Sequence, residues 1–208
     1  MSFTGFTDKD FNVFTIDGLD ERMSAIREQI QPKFRQIGEL LTMELSAQIG
    51  SEMHLHIAKH ARRTVNPPKD TWLAIGPNKR GYKKYPHFQV GLFDDHVFIW
   101  LAYIYELPNK AQIAQNFLNN LEEVKNIVPE DFVISMDHMQ KNATPKAKLN
   151  LEDVLTRFKN VKAELLIGKN IANGDALLLD GEKFLDYTIE TFKTLIPLYK
   201  MSYTGELN

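Results

Sequence analysis

HFQVGLFDDHVFIWLAYIY, from His87 to Tyr105, is the stretch that decides the fold. Its apolar run from Val97 to Tyr105 is nine residues long, far short of the roughly 20 that a membrane helix needs. Short, aromatic and β-branched, it reads as a strand buried on both faces. His87 to Phe93 reads as another strand. Asp94-Asp95 supplies the turn between the two, so the pair predicts an antiparallel hairpin.

Upstream of the hairpin, Met53, Leu55 and Ile57 alternate with His54, His56 and Ala58, the period of a half-buried strand. Trp72 to Ile75 predicts a second, short strand. Earlier still the period is helical. Leu19, Met23, Ile26 and Ile30 share a face, with Asp17-Gly18 as a start signal. Pro32 is placed to open a further helix, with Phe34, Ile37, Leu41, Leu45 and Ile49 as its stripe and Gly50 as its stop.

Downstream, Ala114, Phe117, Leu121 and Val124 predict a helix after Pro108-Asn109. Phe132 to Met136 and Val161 to Ile167 predict strands. Asn150 is an N-cap for a helix through Phe158, with Glu152 and Asp153 well placed in its first turn. The last helix carries Leu185, Ile189, Phe192, Leu195, Ile196 and Tyr199, and Pro197 should kink or end it. Lys141 to Lys148 reads as a polar loop. Helices first, strands next and a mixture after favour α+β over a regular βαβ alternation. The expectation is one α+β domain over residues 1–208. Its sheet should be mainly antiparallel, with about five to six strands packed by N-terminal and C-terminal helices.

Composition narrows the chemistry. The 208 residues are 43% hydrophobic and 25% charged, ordinary for a folded globular chain that needs no disulfide or metal to hold a core. There is no cysteine, which removes disulfides, thiolate nucleophiles and thiolate metal sites and fits a reducing compartment. The opening MSFTGFTDKDF shows no basic stretch followed by an apolar run, so no signal peptide is expected and a cytoplasmic location is. No GxGxxG, GxxxxGK[ST], GxSxG, HExxH or EF-hand spacing appears. Gly168-Lys169 lacks the upstream glycine of a phosphate loop. No cofactor is called for.

One segment departs from this ordinary picture. From His54 to Phe88, Lys59, Arg62, Arg63, Lys69, Lys79, Arg80, Lys83 and Lys84 stand against the single acid Asp70, a local charge of +7 in a chain of −2. Such a concentration makes a positive potential. Arginine forks suit phosphate and carboxylate, and the interleaved Tyr82, Tyr85, His60 and His87 suit stacked rings. The plain alternative is a set of solvated loop ends, with Asp94 and Asp95 pairing to the arginines. The sharper expectation is a non-catalytic site for an anionic small molecule, phosphate-bearing or carboxylate, formed by His60, Arg62, Arg63, Lys79, Arg80, Tyr82, Lys83 and His87. A nucleic-acid surface is less favoured, because the rest of the chain is acidic. Geometry divides these readings. In a plain meander the Lys59–Asp70 loop shares one end of the sheet with Asp94-Asp95. The Gly76–Pro86 loop lies at the other end, about 17–20 Å away. A pocket needs the two loops to converge.

The histidines allow a second reading, an enzyme using His60, His87 or His138 as general acid or base. That requires one of them in a cleft beside a carboxylate or hydroxyl, with a displaced pKa. Asp137-His138 is adjacent in sequence, and adjacent residues rarely aim side chains at each other, so a loop turn explains it. His54, His56 and His60 form a loose H-x-H-x3-H, but no carboxylate follows, and surface histidines account for it better than a metal. Trp100, Tyr103 and Tyr105 read as core, with their hydroxyls reaching the rim. A third reading makes the surface around Tyr103 and Tyr105 a protein-interaction face.

The run AKHARRTVNPPKDTW, Ala58 to Trp72, followed by KRGYKKYPHFQVGLFDD, Lys79 to Asp95, resembles an uncharacterised family of Bacillus-type bacteria called YktB-like. Asp137-His138-Met139 and the opening Gly18-Leu19-Asp20 fit it as well, so the resemblance spans nearly the whole chain. It implies a compact α+β fold in a bacterial cytoplasmic protein. It implies no established activity, and no catalytic or binding residue is carried over.

Overall fold

The computed structural model describes residues 3–160 and 162–203. Helix α1 (Asp8–Asn12) leads to α2 (Leu19–Ala25), a π-helical turn (Ile26–Ile30) and α3 (Gln31–Ile49). The helical path runs on from Leu19 to Ile49, and Pro32 stands in the first turn of α3, as expected, directly after the π turn. A proline ring crowds the carbonyl four residues back and offers no N–H. Widening the preceding turn to π is one way a helix absorbs this. Gly50 closes α3 with φ of 81°, a left-handed position that glycine fills without strain.

Strands β1 (His54–Ile57), β2 (Thr71–Gly76), β3 (His87–Leu92) and β4 (His96–Tyr103) follow as a meander. Then come α4 (Lys110–Asn119), α5 (Leu121–Ile127), β5 (Val133–Ser135), β6 (Thr144–Pro145), α6 (Leu151–Phe158), β7 (Leu165–Ala172) and α7 (Gly181–Met201). The result is an α+β fold with one antiparallel sheet of order β1-β2-β3-β4-β7-β5-β6. Among the described residues seven strands make up the sheet, more than the five or six expected from sequence. The addition is β6, two residues inside the stretch read as a polar loop. There Lys146 is buried and donates to Glu130 at 2.6 Å and to the carbonyls of Lys125 and Val128.

Three further differences have local causes. The helix expected across Ala114–Val124 breaks at Asn120, whose side chain donates to the Asn116 carbonyl at 2.8 Å, the local competition that makes asparagine a poor helix-interior residue. Helix α7 continues through Pro197 to Met201, because Leu198, Tyr199 and Met201 beyond it are buried in the core. The strand expected from Val161 begins at Leu165, and Val161 itself lies outside the described residues. Asn150 caps α6 as expected, accepting from the N–H groups of Glu152 and Asp153.

Every strand of the meander except β1 is largely buried on both faces, yet the two faces are covered differently. One carries Leu73, Ile75, Phe88, Val90, Ile99, Leu101 and Ile167 against helices α1 to α7. The other carries Phe93, Phe98, Trp100, Ala102, Ile104 and Leu166, with Trp72 beside them, and among the described residues no helical one joins that cluster. Loops lie there instead: 58–70, 77–86 and 136–143. Lys141, in the last of these, pairs with Asp94 and with Asp95 at the β3–β4 turn. No helix among the described residues is long and apolar enough to cross a membrane.

Candidate functional site

The loop-covered face holds a cluster of titratable groups. Alternation along each strand points Asp70 just ahead of β2, Trp72 in β2, His87 and Gln89 in β3, and Glu164 just ahead of β7 to that side. Tyr82 is the residue that joins the two basic loops. The 77–86 loop folds back over the sheet, so the Tyr82 hydroxyl accepts from Trp72 Nε1 at 2.8 Å. Its ring lies 4.7 Å from that of His87 and 5.3 Å from that of His56. Burial pushes the Tyr82 phenol up to about 12, so it remains a hydroxyl. On the other loop, His60 sets its ring edge against Trp72 at 5.5 Å, and its Nε2 meets Thr71 Oγ1 at 3.1 Å. His60 has φ of +49°, a backbone cost carried only where the surroundings fix it.

These contacts bring the loops together. One cavity of about 510 Å³ is lined by Lys59, His60, Arg62, Arg63, Trp72, Tyr82, Lys83, Tyr105, His138 and Met139. A second of about 560 Å³ shares Lys59, Tyr82 and Lys83 with it and adds Arg80, Lys84 and Tyr85. Of the residues expected from sequence, His60, Arg62, Arg63, Tyr82 and Lys83 line the first and Arg80 lines the second. Lys79 is exposed and lines neither. His87 is fully buried beneath Tyr82 and also lines neither. Its Nδ1 donates to the Tyr85 carbonyl at 2.7 Å, which leaves Nε2 to accept from Gln89 at 2.8 Å. Burial holds this imidazole down at about 4, hence neutral.

The cations are weakly engaged by acids. Lys83 pairs with Glu106 at 2.9 Å, and the Arg63 guanidinium donates to the Asn66 carbonyl at 3.4 Å. Among the described residues no carboxylate pairs with Lys59, Arg62, Arg63 or Arg80. The turn acids Asp94 and Asp95 are taken up by Lys141 rather than by the arginines. The one acid of the basic segment, Asp70, is 3% exposed. Burial drives its carboxyl up to about 6 against the pull of His138 and Arg63.

His138 is held differently. Glu164, buried just ahead of β7, accepts from the His138 backbone N–H at 2.8 Å, from its Nδ1 at 2.8 and 2.9 Å, and from the Tyr105 N–H at 3.1 Å. Burial opposes charge on the His138 ring, but the hydrogen bond and charge of Glu164, with Asp70 and Asp137 nearby, outweigh it and hold the imidazole above its ordinary value. Burial likewise opposes charge on Glu164, and its His138 bond prevails to keep it below the usual carboxylate range. Asp137, His138 and Glu164 have ligand atoms close enough to surround a cation. The three N–H donors aimed at Glu164 make it an acceptor for protein hydrogens instead. His54, His56 and His60 do not gather as ligands: His56 Nε2 donates to the Asn78 carbonyl at 3.0 Å, while His60 turns to Thr71.

Glu164 and Asp70 were not singled out by sequence reasoning as part of a site. The available signals were slight: a lone acid heading an apolar strand, and a lone acid in a basic segment. Tyr103 is also placed differently from expectation. It is fully buried, and its hydroxyl meets Ser202 Oγ at 2.9 Å instead of reaching the rim. Only Tyr105 of that pair is exposed.

Residues 6–199 match the family described as "Domain of unknown function (DUF1054)". The chain is similar to a UPF0637 protein of Shouchella clausii, 57% identical over 206 residues, covering 99% of this chain and 98% of the relative. It is 58% identical over 199 residues to a UPF0637 protein of Oceanobacillus iheyensis, covering 95% and 96%. To one of Listeria monocytogenes it is 50% identical over 203 residues, covering 97% and 99%. The resemblance carried by the central motif is thus matched over nearly the whole chain.

Proposed function

Because the chain belongs to the DUF1054 family, whose description names no activity, its chemistry has to come from its own residues, and we propose that it binds an anionic small molecule in the loop cleft. One observation carries this reading. Two basic loops that a plain meander would keep at opposite ends of the sheet line one cavity, with Lys59, Arg62 and Arg63 lacking an acid partner among the described residues. Uncompensated cations held close together repel, and an anion relieves that repulsion while accepting charge-assisted hydrogen bonds. A cavity of about 510 Å³ suits a small molecule, since ligand pockets run from roughly 300 to 1,000 Å³. Tyr82, Trp72 and Tyr105 supply ring surface.

Thermal unfolding tests the reading with a panel of nucleotides, phosphosugars, acidic metabolites and short single-stranded oligonucleotides at two salt concentrations. A ligand at 100 times its Kd adds about 2.7 kcal/mol, a rise of roughly 5–10 °C at this chain length. The expected result is a rise with one small anion that is lost in Arg62→Ala/Arg63→Ala. A rise only with oligonucleotides, collapsing at high salt, would replace the cleft with a polyanion surface. No rise with any compound would reduce the patch to solvated charge.

A second reading, acid–base catalysis, is favoured by the His138–Glu164 pair, an imidazole in a cleft oriented by a carboxylate. It differs in one readout: the bound compound would be recovered chemically changed.

A further inference from the structure

His138 has a feature that simple anchoring of its loop does not require. Glu164 takes both the backbone N–H and Nδ1 of this residue, so the ring is fixed in rotation and its Nδ1 carries hydrogen. Nε2 has no hydrogen-bond partner among the described residues, and His138 lines the cavity beside Lys59, Arg62, Arg63 and Lys83. The same lining includes apolar and aromatic side chains, Trp72, Tyr82, Tyr105 and Met139, the last two about half exposed, and the Tyr105 ring lies 6.4 Å from that of His138.

The number of donors speaks to the ligand. A carboxylate has two oxygens and one charge, and a single arginine fork satisfies it. Three cations without acid partners and an imidazole nitrogen exceed that demand. A phosphate group has three acceptor oxygens and a charge of about −1.5 to −2 near neutrality. We infer that the ligand is a phosphomonoester bearing an aromatic or apolar group, and that the Nε2–H of His138 is the donor that selects its dianionic head. This rests on the anion-binding reading above and names the class of anion.

The inference also predicts a pH dependence. The groups near His138 are Glu164 ahead of β7, Asp70 ahead of β2, Asp137 on its own loop and His87 on β3. Lys110 of α4 stands near Glu164. Glu164, Asp70 and Asp137 favour the imidazolium against the burial that opposes it, so the donor persists to higher pH than on a free imidazole and is lost as the ring deprotonates.

Phenyl phosphate and benzoate share a ring and differ in the head group, which makes them a matched pair for calorimetry on the intact chain. The wild type should bind phenyl phosphate at least about tenfold tighter than benzoate, and His138→Gln should lose about tenfold for phenyl phosphate alone, the scale of one charged hydrogen bond. Wild-type affinity should fall at alkaline pH, and that of the variant should not. On the wild type, phenyl phosphate should shift the imidazole ¹⁵N resonances of His138 and raise its midpoint of titration, a measurement that needs no variant to fold. Equal affinities for the two compounds, or a His138→Gln protein with undiminished preference, would overturn the inference while leaving anion binding standing. Binding of neither compound would overturn both.

Discussion

Asp70 shows how a single buried group sets a cost that pH can remove. Its carboxyl stands at about 6 against 3.8 for the free side chain, so folding favours the protonated form and the contribution it makes on acidification is lost as pH rises through about 6. Above that, the ionised group costs the fold about 3 kcal/mol at 1.36 kcal/mol per unit. Asp70→Asn should therefore raise the melting temperature at pH 8 and leave it nearly unchanged at pH 4. Calorimetric scans at the two values check this, and a variant destabilised at both would mean that the carboxylate makes a needed contact. His60 carries a different cost at the same site, its left-handed backbone. Neither was legible in the sequence. A lone acid among eight cations reads as a solvated ion-pair partner, and only the alternation of β2 together with the loops above it buries Asp70.

At the scale of elements, the pairing of β4 with β7 depends on one missing side chain. Gly168 lies opposite Trp100, and a Cβ there would sit 1.9 Å from the Ile99 carbonyl oxygen and 3.0 Å from the Trp100 Cα. Those are backbone atoms of the neighbouring strand, so no rotamer change relieves the overlap. Gly168→Ala should cost several kcal/mol, on the order of the largest single-site effects, measured as a fall in the midpoint of denaturant unfolding. The hairpin, β1, β2 and the α6 cap were readable because each rests on a local period or a capping residue. The π turn, the break at Asn120 and the continuation of α7 through Pro197 were not. In each of these, what decides is the fit of a helix against the core, which local propensity does not contain. The strand expected over Val161–Ile167, a stretch interrupted by Lys162 and Glu164, starts instead at Leu165 and reaches Ala172.

For the whole molecule, the interior histidines govern the response to acid. His87 and His60 are each held at about 4, chiefly by burial, against 6.5 for the free side chain. Groups lowered in this way contribute stability that is present above about 6.5 and lost as pH falls toward 4. Asp70 works in the opposite sense over an overlapping range, so the two histidines outweigh it. Stability should fall between pH 6.5 and 4, and His87→Gln should flatten that fall. Denaturant midpoints collected across the range give the test, and an unchanged slope in the variant would assign acid sensitivity elsewhere. The α+β class and the antiparallel meander were legible from the sequence, as was the position of the basic segment. Convergence of its two loops was not, because it depends on Tyr82 lying back across the sheet to Trp72, a contact between residues ten apart that no period encodes.

The unequal cover of the two sheet faces has a kinetic consequence. The helices on one face hold most of the apolar interior, whereas the other face is roofed by loops whose ties include Tyr82 to Trp72, His60 to Thr71, His138 to Glu164 and Lys141 to the β3–β4 turn, with Arg22 of α2 and Gln31 of α3 holding the Pro68 and Ala58 carbonyls. Openings of the 136–143 loop, which has no hydrogen bond or ion pair to a helix among the described residues, need not disturb the helical layer, so they belong to the low end of the local-unfolding spectrum. Entry and residence of anything in the cleft are then timed by the roof, independently of the rate at which the protein unfolds.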